Sequence, residues 1–130
     1  MKEINVSEAT GPVLDWLVAK CEGIPVARHS TGAIFLIDTP WADKSRVKWL
    51  AEYSPSKHWA QGGPIIEREN INIVREGYAA DWIASLYDDV DSDWHLHTHG
   101  PTPLIAAMRC YVASKLGDIV EVPEELLNGD

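Results

Sequence analysis

The chain is poor in the residues that staple or anchor a protein. It has two cysteines, Cys21 and Cys110, in 130 residues, too few for a disulfide framework. Both fall in helical patterns among apolar neighbours and read as buried free thiols. No apolar run approaches the roughly 20 residues needed to cross a bilayer. The opening Met1-Lys2-Glu3-Ile4-Asn5 lacks the shape of a secretory signal, so a reducing cytoplasm is the expected compartment. Positive charge is scarce too. Eleven Lys+Arg face twenty Asp+Glu, a formal charge of −9 with a pI near 4.9. A non-specific nucleic-acid binder needs a basic surface to release counterions, and this balance argues against one. Catalytic signatures are missing as well. There is no His-Glu-x-x-His or Cys-x-x-Cys, no Walker lysine loop and no Gly-x-Ser-x-Gly elbow, which favours a non-enzyme.

What is present is the composition of one globular domain, 45% hydrophobic and 24% charged, long enough to bury a core without staples. Thr10-Gly11-Pro12 opens a helix in which Leu14, Leu17, Val18 and Cys21 recur at helical spacing. Asp15 and Lys20 fall off that stripe, and Gly23 ends it. Residues 24–29 and 33–38 form two apolar runs around Ser30-Thr31-Gly32, a hairpin. Ser45 to Glu52, within a basic stretch with Lys44, Arg46 and Lys48, reads as one or two helical turns. Tyr53 to Pro64 reads as a long irregular loop, with a short helix from Pro64 to Glu69. Strands are expected at 71–75 and 80–86, then an acidic stretch. Residues 76–100 hold Glu76, Asp81, Asp88, Asp89, Asp91 and Asp93 and no Lys or Arg. Thr102-Pro103 opens the clearest helix, with Ile105, Met108, Val112 and Leu116 on one stripe and Gly117 at its end. A terminal strand at 119–122 and a helical turn at 123–127 complete an α+β fold: a small antiparallel or mixed sheet with two main helices packed on one face.

Three blocks of sequence carry a resemblance. The first is Thr10-Gly11-Pro12 with Leu14-Asp15-Trp16 and Ala19-Lys20-Cys21. The second is Tyr53-Ser54-Pro55-Ser56 with Trp59-Ala60-Gln61-Gly62-Gly63-Pro64-Ile65-Ile66-Glu67-Arg68-Glu69. The third is Gly100-Pro101-Thr102-Pro103-Leu104-Ile105-Ala106-Ala107-Met108-Arg109 running into Val112-Ala113-Ser114-Lys115. Together they resemble the NinX-like proteins of lambdoid phages across nearly the whole chain. The resemblance implies one domain over residues 1–130, phage or prophage origin and action in the bacterial host cytoplasm. It brings no catalytic residues. The chain departs from the family pattern at His58, where that pattern has an acidic residue, and at the histidines before Gly100.

Three constellations bear on function. In the central loop, Gly62 and Gly63 precede a helix opened by Pro64. Converging glycine amides at a helix N-terminus suit a phosphate or carboxylate. Trp59 and Tyr53 offer faces for a planar group, Ser54 and Gln61 offer polar contacts, and Arg68 and Lys57 offer neutralising charge. A tight turn with Trp59 plugging the core is the structural alternative. In the last helix, Thr102 caps and Arg109 sits beside the apolar stripe, where an Arg needs a partner. That partner is either an internal carboxylate such as Glu67 or Glu69, or a ligand anion. His95, His97 and His99 alternate, so a strand would align them on one face. Without an accompanying metal motif they read as an exposed polar segment rather than a metal site, and no cofactor is expected. The expected partner is a phosphate-bearing small molecule of nucleotide type or a host protein, the latter favoured by the acidic stretch. Self-association into a homo-oligomer is compatible with either.

Overall fold

The computed structural model describes residues 1–38, 48–75, 81–87 and 95–127. A strand β1 (Lys2–Asn5) leads through a 3-10 turn (Val6–Glu8) into helix α1 (Gly11–Glu22). Strands β2 (Val26–Arg28), β3 (Ile34–Ile37) and β4 (Trp49–Glu52) follow. Helix α2 (Trp59–Glu69) comes next, then β5 (Asn72–Arg75), β6 (Trp82–Tyr87) and β7 (His95–Gly100). Helix α3 (Pro103–Leu116), β8 (Ile119–Val122) and a 3-10 turn (Glu124–Leu126) close the chain.

The fold is α+β. Its strands are divided among three antiparallel sheets rather than gathered in one: β1-β8, β2-β3-β4 and β5-β6-β7. The expected hairpin is β2–β3, with Val26 opposite Leu36 and Arg28 opposite Ile34. Helix α3 is the hub. It packs on β5, β6 and β7, and takes α1 and α2 against its remaining sides. Leu104, Ala106, Ala107, Met108, Cys110, Tyr111, Val112 and Ala113 are all buried, so this helix is apolar almost all round and not along a single stripe, as suits a helix enclosed by neighbours. Thr98, buried in β7, donates its hydroxyl to the Ala106 carbonyl at 2.7 Å and pins the sheet to the helix. At Gly100 any side chain would stand 2.6 Å from the Ala106 amide nitrogen, so only glycine admits this approach.

Among the expected core residues, Leu14, Leu17, Val18, Met108 and Val112 are fully buried, and Ile105 is partly buried. Cys21 and Cys110 are free thiols, the second buried. Burial pushes both thiols up, to about 11. Thr102 caps α3, accepting from the Ile105 N–H at 3.1 Å. Thr10 holds the same position at α1 without a capping bond from its side chain.

Three expectations are corrected. Residues 49–52 form strand β4, not helical turns, and pair with β3 through an irregular register. Asp15, set apart from the apolar stripe by spacing, is buried. The segment from Tyr53 to Pro64 is not a long loop, because α2 begins at Trp59 and runs straight through Gly62-Gly63-Pro64. Lys44, Arg46, Glu76, Asp88, Asp89, Asp91 and Asp93 lie outside the described residues. No helix among the described residues is long and apolar enough to cross a membrane.

Candidate functional site

The central segment is tied down by its own polar groups. Tyr53 is buried, and its N–H bonds the Ile34 carbonyl at 2.8 Å. The Gln61 side chain reaches back from α2. Its Oε1 accepts from the Ser54 N–H at 2.6 Å, and its Nε2 donates to the Glu52 carbonyl at 3.0 Å. Ser54 donates its hydroxyl to the Glu52 carboxylate. One turn on, Ser56 donates its N–H to the buried Asp15 Oδ1 at 2.9 Å. Ser56 Oγ is buried without a hydrogen-bond partner among the described residues. Burial raises the Asp15 carboxyl to about 6, against the opposing pull of the Ser56 backbone bond. Asp15 and Ser56 thus join α1 to the turn before α2, a link between distant blocks that helical spacing alone could not reveal.

The glycine pair takes a different role from the one its sequence suggests. Gly62 and Gly63 sit within α2, and the Gly62 N–H bonds the His58 carbonyl at 2.9 Å. They therefore form no converging amide cradle at the head of a helix opened by Pro64. Gly62 is instead a packing point, where a Cβ would lie 2.5 Å from the Pro55 carbonyl oxygen and 2.7 Å from Leu104 Cδ2. At Gly63 the nearest atom would be Trp59 Cε3 at 3.8 Å, an ordinary contact. The two glycines should respond to alanine with opposite signs. Gly62→Ala is expected to destabilise by about 1–3 kcal/mol through overpacking. Gly63→Ala is expected to stabilise by about 0.5–1 kcal/mol through helix propensity. Urea melts of the two variants decide; a Gly62→Ala protein as stable as the parent would dismiss the close approach.

The remaining predicted residues separate. Trp59 is 53% exposed, so it is not a core plug. Arg68 is engaged: it bonds both Glu22 oxygens, at 3.0 and 2.6 Å, and Glu69 at 2.9 Å. Tyr111 donates its hydroxyl to the same Glu22. The Arg68 bond holds the Glu22 carboxyl below its ordinary range. Arg109 does not pair with Glu67 or Glu69. Its Nε donates to the Ala9 carbonyl and its Nη1 to the His99 carbonyl, both at 2.8 Å.

Arg109 also lines a cleft of about 570 Å³ between the Val6–Glu8 turn, the end of β7 and the outer side of α3. His97, His99, Asp81 and Asp118 line it too. The strand places His97 and His99 on its exposed face, with Thr98 buried between them, while the side chain of His95 lies outside what is described. His97 Nδ1 lies 2.8 Å from the Ser85 hydroxyl. Among the described residues, no three His, Cys, Asp or Glu side chains are grouped to hold a metal ion. Burial lowers the Arg109 pKa and Asp81 works against that shift, yet no ion pair joins them among the described residues. These two backbone carbonyls leave guanidinium N–H groups without an acceptor among the described residues. Sequence reasoning reached Arg109 and the histidines separately. It missed Asp118, which carries no local signal, and took Asp81 only as part of an acidic run.

No curated protein matches the chain. The sequence model of the family described as "Bacteriophage P22, NinX" matches residues 5–115, a span that includes α1, α2, most of α3 and Arg109. On that match over most of its length, the chain belongs to the bacteriophage P22 NinX family.

Proposed function

We propose that this phage-family protein is a non-enzymatic binding protein that holds a small anionic molecule of nucleotide type in the Arg109 cleft. Its action would be sequestration of a host signal, a counter-defence role, and not chemistry on the ligand. The observation that carries the reading is Arg109: part-buried, bonded to two backbone carbonyls and, among the described residues, to no carboxylate. A guanidinium in a cleft with free donors is the usual receptor for a phosphate or carboxylate. The cleft volume falls in the range of small-molecule sites. Thr102, by fixing the start of α3, helps hold the helix that carries Arg109.

The test is mass spectrometry of small molecules released on denaturing protein purified from bacteria. A phosphate-bearing compound is expected with the parent protein and with Trp59→Ala, and none with Arg109→Ala. Loss with Trp59→Ala and retention with Arg109→Ala would return the site to the Tyr53–Gly63 segment. A second reading draws on the formal charge of −9: an acidic module that inhibits or redirects a host protein, with its carboxylates standing in for nucleic-acid phosphates. Protein that releases nothing, yet retains one host polypeptide in a salt-dependent way, would favour it.

A further inference from the structure

The charges around the cleft restrict what Arg109 can receive. Its guanidinium is one formal positive charge. Asp81 and Asp118 line the same cavity and are exposed to solvent. Asp81 is near enough to act electrostatically on Arg109, but the two form no ion pair among the described residues. Opposite charges thus share one cavity, large enough for a ligand, without an ion pair between them among the described residues. A multiply charged phosphate would pair with the one guanidinium while two carboxylates repel each of its charges, so the penalty grows with ligand charge. A singly charged group pairs with Arg109 and meets the smallest such repulsion. Hydroxyl or amino donors on the rest of such a ligand would meet Asp81 and Asp118 as acceptors.

We infer that the cleft is bipolar and selects a mono-anion bearing hydrogen-bond donors, such as a nucleoside phosphodiester, over a nucleotide with a terminal mono-, di- or triphosphate. This rests on the Arg109 reading above and sharpens it. The chemistry is that of matching poles: the anion at the guanidinium, and the sugar or base donors at the carboxylates.

The experiment is calorimetric titration of the full chain, in metal-free buffer at neutral pH, with four probes on one scaffold. They are adenosine, 3′,5′-cyclic adenosine monophosphate, adenosine monophosphate and adenosine triphosphate. The cyclic phosphodiester is expected to bind at least about tenfold more tightly than the other three. Asp81→Asn and Asp118→Asn, both at exposed positions, should narrow the gap by improving binding of the mono- and triphosphate. Arg109→Ala should abolish binding of the cyclic compound. Tighter binding of the mono- or triphosphate by the parent protein would overturn the inference and leave the Arg109 reading standing. So would discrimination that neither Asp variant changes. If none of the four binds, the nucleotide reading itself falls, and this inference falls with it.

Discussion

Replacing Met108 by alanine is expected to remove about 2–5 kcal/mol of stability. Leu17→Ala should have an effect of the same size. Both side chains have zero exposure, one on the hub helix α3 and the other on α1, which packs against it. The loss has two parts. One is the transfer free energy of the deleted methylene and thioether groups, and the other is a cavity that an enclosed helix cannot collapse to fill. Against a typical total of roughly 5–15 kcal/mol, either change removes a large share of what holds the fold. Ile105→Ala provides the comparison, because Ile105 is only partly buried and its site opens towards solvent. Equilibrium denaturation should rank Met108→Ala and Leu17→Ala well above Ile105→Ala. Equal losses at all three positions would mean that α3 is not enclosed as described.

The second large effect is expected at Asp15. Its carboxyl is raised from 3.8 to about 6 by burial. The folded chain therefore binds this proton more tightly than the unfolded chain does. That contribution is fully present below about pH 4 and is lost as the pH rises through about 6. Above that window the buried carboxylate costs the fold roughly 3 kcal/mol relative to its protonated form. Asp15→Asn keeps an oxygen for the Ser56 N–H and removes the buried negative charge. The variant is expected to be more stable than the parent by about 1–3 kcal/mol near neutral pH, with no such gain near pH 4. Glu22 and Glu69 are shifted the opposite way by Arg68. Their contribution is present above their ordinary pKa and is lost as the pH falls through the depressed one, so acid weakens that ion-pair group while it relieves Asp15. Asp15→Ala, which orphans the Ser56 N–H, should lower stability near pH 4, where the bond is lost without relief of a buried charge. Urea titrations across this range decide, and an Asp15→Asn protein weaker than the parent near neutrality would refute the account.

The elements written into local chemistry were the ones the sequence made legible. Helices α1 and α3 each carry proline in their first turn and glycine at their end, and the hairpin β2–β3 is framed by Ser30-Thr31-Gly32. Helix α2 was hidden because Gly62, Gly63 and Pro64 are all poor helix residues. What overrides them is tertiary: the Gly62 approach to Pro55 and Leu104, and the Gln61 clamp on residues 52–54. Strand β4 was misread as helical because its identity comes from pairing with β3 and not from alternation, all four residues being exposed. At the candidate site, Arg109 stood out as a cation beside an apolar stripe. Its acceptors did not, since a backbone carbonyl such as that of Ala9, one hundred positions away, has no signature in sequence.

The ribbon formed by β1 and β8 sets an order on folding. Lys2 pairs with Val122 and Asn5 with Ile119, and the Val6 N–H bonds the Asp118 carbonyl at 2.9 Å. Strand β1 finds its partner only across a sequence separation of more than a hundred residues, Asn5 meeting Ile119. Such distant pairing closes late, because the loop entropy must be met before the contact forms. Asn5, Val6, Ser7 and Asp118 form one wall of the cleft, and that wall hangs on the ribbon. Contacts of α3 with its sheet span shorter separations than this ribbon and can form before the cavity around Arg109 is closed. The cleft around Arg109 is therefore completed late in folding, once the ribbon has formed.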